Sequence, residues 1–68
     1  MLSAMLYVDL FRDTDREGGF HRLNSTYPQW TTIDLAKGEL AGKRFPWAKA
    51  FEVVNGEGDI LAVGIKDA

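Results

Sequence analysis

AKAFEVVNGEGDILAVGI, residues 48–65, holds two apolar runs on either side of Asn-Gly-Glu-Gly. Asn and Gly tolerate the positive φ that tight turns between twisted antiparallel strands require, so this spacing predicts a β-hairpin turning at residues 55–58. Phe51 and Val53 alternate along the first run, and Leu61, Val63 and Ile65 match them on the second. Gly64 inside the second run marks a bulge or a close backbone approach.

Working toward the N-terminus, Pro46 stops any helix that precedes this hairpin. Upstream, Ile33, Ala36 and Leu40 fall on one face at helical spacing, with the stem of Lys37 beside them. Thr31 or Thr32 can cap that helix, and Asp34 three residues after Thr31 is a short-armed capping box. Gly38 weakens it by roughly 1 kcal/mol relative to alanine. Gly42 is expected to end it in a left-handed conformation, with Lys43 and Arg44 close to the negative end of the helix dipole. Pro28 makes STYPQW a loop.

Residues 4–12, AMLYVDLFR, alternate again. Leu6, Val8 and Leu10 share one face, while Met5, Tyr7, Asp9 and Phe11 share the other. FHRLN resumes alternation after DTDREGG, with Phe20 and Arg22 opposite His21 and Leu23, so a first hairpin is expected here too. The expected fold is α+β: one domain over residues 1–68, β-hairpin–α-helix–β-hairpin (ββαββ), with a four-stranded antiparallel sheet and one helix on one face. The pattern does not fix the strand order.

Composition bounds the function. A chain of 68 residues lies near the lower size limit for unaided folding, and 46% hydrophobic with 26% charged residues is a globular mixture. Without cysteine there is no disulfide framework and no thiolate metal site. Small secreted domains usually depend on disulfides, so a cytoplasmic location is expected. The apolar opening lacks a basic leader, is interrupted by Asp9 and Arg12, and is too short to span a bilayer, so no membrane role is expected. The Asn-Ser-Thr triplet at residues 24–26 fits a glycosylation acceptor but reads as loop in such a setting.

DTDREGG raises the question of calcium. Asp13, Asp15, Glu17 and Gly18 match the first half of an EF-hand loop, but Asn24 stands where the bidentate glutamate belongs, and strands flank it. A hairpin turn with solvated acids is the expectation. GELAGKR has one residue too few between its glycines for a phosphate loop and Arg44 where Ser or Thr is needed. Gly-Glu-Gly at residues 56–58 precedes a strand, so no helix N-terminus follows it to hold a phosphate. His21 is the single histidine, and Ser3 and Ser25 are the only serines, too few for a nucleophile–base–orienter set. No enzyme, metal or cofactor is expected.

Net charge is −2, yet residues 36–50 carry Lys37, Lys43, Arg44 and Lys49 against Glu39 alone. Trp30, Phe45 and Trp47 lie beside Lys43, Arg44 and Lys49 in sequence. In so small a domain the tryptophans also suit the core. Exposed, the group has the aromatic and arginine composition of interface hot spots. It also suits single-stranded nucleic acid, which the overall acidity disfavours.

At the level of class, a short cysteine-free α+β chain without catalytic groups resembles bacteriophage-encoded inhibitors such as anti-CRISPR proteins. That resemblance implies action by occupancy of a larger protein or nucleoprotein complex, and it assigns no residue. The expected function is a protein-binding module of inhibitor or regulator type. Met5, Tyr7, Phe11 and Phe20 are expected to form an apolar stripe on the open sheet face, suited to a homodimer or a partner.

Overall fold

The computed structural model describes residues 5–67. The expected strand start at Ala4, and Ser3, lie outside the described residues. Five elements follow in chain order: β1 (Leu6–Phe11), β2 (Phe20–Ser25), α1 (Gln29–Ala41), β3 (Ala50–Asn55) and β4 (Ile60–Ile65). They form the α+β ββαββ arrangement, with four antiparallel strands in the order β2-β1-β3-β4.

Register follows from burial. Val8 sits opposite Leu23 on β2 and Val53 on β3, and Leu10 opposite His21 and Phe51. A slip of one residue would turn this apolar set to the other face, so the helix side fixes the pairing. Val8, Leu10, Phe51 and Val53 meet Ala36 and Leu40 of α1, with Ile33, Leu23 and Leu61 packed around them. The helix lies chiefly across β3 and β1 and touches β4 less, so β4 projects beyond its cover.

Two local expectations are corrected, the ends of α1 and the facing of β4. α1 begins at Gln29 behind Pro28, without a side-chain cap. Pro28 stands at the N-cap with φ −57° and ψ 158°, so the helix starts earlier than either threonine, and Thr31 and Thr32 fall inside it. Thr32 is fully buried; its Oγ1 donates toward the Pro28 carbonyl and lies 2.9 Å from Ser25 Oγ. At the other end, Gly42 is extended (φ −80°, ψ −176°) and not left-handed. Glycine fits there because a Cβ would come 2.9 Å from the Gly38 carbonyl oxygen.

The second correction concerns β4. Phe51 pairs with Gly64 and Val53 with Ala62, while Ala50 pairs with Ile65 and Glu52 with Val63. Val63 and Ile65 therefore face the open side and do not match Phe51 and Val53. The Phe51 ring occupies the space a Cβ at Gly64 would take, its Cζ only 2.6 Å from that position. Gly64 is thus a close approach, and the register shift lies instead between Val53 and Val54.

The turn at residues 55–58 falls where the sequence places it, between β3 and β4. Gly58 alone takes positive φ, +87°. Asn55 stays in the strand and its Oδ1 accepts the Glu57 and Asp59 N–H groups, each at 2.9 Å. This is an Asx-type closure with glycine in the left-handed position.

Candidate binding groove

Three chain segments converge at one end of the sheet. β1 ends into Arg12, β2 begins with Phe20 and His21, and the stretch after α1 turns back over them. Pro46 presets φ for that turn, which closes as Ala48 N–H donates to the Phe45 carbonyl at 3.0 Å. Lys49 N–H then donates to the Phe11 carbonyl at 2.8 Å, tying the segment to β1. Ala48 is fully buried beneath it.

The turn lays Phe45 and Trp47 against His21, with ring centroids 4.9 and 6.4 Å from the imidazole and 5.8 Å from each other. Both rings are half-buried and also pack on the core. Each carries a guanidinium: Arg12 Cζ lies 4.7 Å from the Trp47 ring centre and Arg44 Cζ 4.9 Å from that of Phe45. Together they line a groove of about 570 Å³. Exposed stacking of this kind contributes roughly 0.5–1 kcal/mol and holds the planar cation while its N–H donors stay free.

The two arginines differ in availability. Arg44 also donates to Glu39 at 3.1 Å in an exposed pair. Among the described residues, no carboxylate lies within ion-pair distance of Arg12. The groove therefore presents one uncommitted guanidinium on an aromatic floor, with an imidazole at its side. An anionic planar group or a carboxylate beside an apolar side chain fits that chemistry.

Of the sequence-derived set, Arg44, Phe45 and Trp47 come together here. Lys43 and Lys49 are exposed nearby in the chain but do not line the groove. Trp30 is separate: it stands 71% exposed in the first turn of α1, roughly 17 Å of helix from Ala41 at 1.5 Å per residue. The sequence-derived binding set does not include Arg12, and it treats His21 only as a lone base. Their only signal was that β1's end and β2's start must meet at one edge of a hairpin.

The open sheet face is less apolar than expected. Phe11 is buried, and Tyr7 is half-buried beneath Arg22, whose guanidinium centre lies 4.7 Å from the Tyr7 ring centre and 5.2 Å from that of Phe20. Arg22 reaches the buried Asp9 with Nε and Nη2 at 2.7 and 2.9 Å. Hydrogen bonding to Asp9, helped by the Asp9 charge, raises the Arg22 pKa above its ordinary value against the opposing effect of burial. From DTDREGG, Arg16 reaches across to Glu52 on β3. The same loop closes through Arg16 N–H to the Asp13 carbonyl and Glu17 N–H to the Asp15 carboxylate, so these acids organise a turn. Of the anticipated stripe, Met5 and Phe20 remain exposed, and Ile60, Val63 and Ile65 of β4 join them.

No protein-family model matches this chain, and searches of curated proteins and of solved structures find no significant match. Among the described residues, no helix is long and apolar enough to cross a membrane.

Proposed function

We propose that the chain is a non-enzymatic binding module that acts by occupying a larger protein or nucleoprotein complex, with the Arg12–Trp47 groove taking an acidic segment of that partner. The carrying observation is the Arg12 guanidinium, stacked on Trp47 with no carboxylate of the described residues to neutralise it. Inhibition or regulation of the partner then follows from exclusion of its other ligands. A binding role is supported also by what the polar groups are doing. Ser25 is buried and engaged with Thr32 and the Tyr27 N–H, while His21 lies against Phe45 at the far end of β2. Among the described residues, the serine and the histidine are therefore not paired as nucleophile and base.

A nucleic-acid partner is the second reading, because guanidinium and aromatic faces also suit unstacked bases. Net charge of −2 disfavours it, since affinity for a phosphate chain rests on neutralising many phosphates. Trp47 reports on both. In a Trp30→Phe background, its fluorescence is titrated with a short poly-glutamate peptide and with an oligothymidylate of matched charge, at low salt. The expected result is a response to poly-glutamate, weakened roughly tenfold by Arg12→Gln. A tighter response to oligothymidylate would transfer the groove to nucleic acid, and no response to either would end the assignment.

A further inference from the structure

We infer a second binding site on the opposite edge of the sheet, where β4 accepts an extended acidic-apolar peptide as a fifth strand. Three observations carry it. First, Lys66 N–H donates inward to the Lys49 carbonyl at 2.8 Å. By the alternation of an antiparallel ladder, Ile65 and Val63 then turn their N–H and C=O groups outward, along a strand that ends the sheet. Second, β4 reads ILAVGI, without the charge or proline that usually guards an edge, and Val63 and Ile65 are 45% and 56% exposed.

Third, the helix stops short of this strand and leaves a groove of about 450 Å³ between the end of α1 and β4. Its floor includes Leu40, Phe51 and the bare backbone of Gly64, and Lys37 and Lys66 stand on its sides with Asp67. Side chains of an added strand alternate, so one would enter the groove while its neighbours lie over Val63 and Ile65. Among the described residues that line the groove, two lysines against one aspartate select carboxylates on the incoming chain. Main-chain bonds then supply affinity, and groove and charge supply selectivity. The site is independent of the Arg12–Trp47 groove and of the reading placed on it.

The probe is the capped hexapeptide acetyl-Asp-Glu-Leu-Val-Leu-Glu-amide, titrated to millimolar concentration into ¹⁵N-labelled protein. The expected result is saturable shifts of the Val63, Gly64 and Ile65 amides, with slowed exchange at Val63 and Ile65. The exposed substitutions Lys37→Glu and Lys66→Glu together should weaken binding roughly tenfold with the fold unchanged. A peptide with alternate backbone nitrogens methylated, unable to complete the ladder, should not bind. Shifts confined to Arg12, His21 and Trp47, or none, would overturn the proposal while leaving the groove reading to its own test. Concentration-dependent shifts of β4 without peptide would also overturn it, by showing that a second copy takes the edge.

Discussion

At Gly64 a single methyl group decides how two strands sit. The Phe51 ring fills the space a side chain would need, and Phe51 is itself nearly fully buried between Leu10 and the helix. Gly64→Ala should therefore cost about 1–3 kcal/mol through overpacking, seen as a lower urea midpoint at unchanged slope. A neutral result would mean that the ring has room to move. The glycine was legible in the sequence as a choice between bulge and close approach. Choosing required the register, because only the pairing shows that a phenylalanine stands opposite. Asp9 was harder. It looks like a blemish on an aromatic strand face until Arg22, its partner across β1 and β2, is known. Nothing local to Asp9 announces that its carboxylate is buried and held by both ends of one guanidinium.

Helix α1 depends on one hydroxyl at its start. Thr32 Oγ1 connects to the Tyr27 and Pro28 carbonyls and to Ser25 Oγ, joining the end of β2 to the first turn. Thr32→Val keeps the shape and removes these bonds, leaving Ser25 short of a partner. It should cost about 1–3 kcal/mol, measured by urea or thermal unfolding. Unchanged stability would show that the hydroxyls are dispensable. The element order and both hairpins were readable, because alternation and turn residues are local properties. The helix start was not, since the two threonines satisfy a capping pattern that Pro28 pre-empts. Gly42 misled for a related reason: glycine serves steric clearance as well as positive φ, and spacing alone does not separate the two.

Across the molecule, the candidate groove was half legible. Arg44, Phe45 and Trp47 are neighbours in sequence and stay so in space, while Trp30 was grouped with them by sequence proximity that the helix then undoes. Arg12 and His21 arrive from the first hairpin, and only tertiary packing brings them in. The β4 stripe was missed because the face of a strand depends on its partner's register. The strand order itself has a further consequence. β1 and β3, joined through residues 12–49, form the middle of the sheet, so its central ladder is also its least local one. Each hairpin closes within its own half of the chain, and the helix stays with the first. The sheet thus has a seam. A chain severed in the exposed stretch after Gly42 becomes two complementary fragments, each carrying one lip of that seam. Mixed, they should reconstitute the strand and helix signal in circular dichroism that neither shows alone, whereas a cut between β3 and β4 should leave a short piece too small to find its place. Half a sheet, in this fold, takes its shape only from the other half.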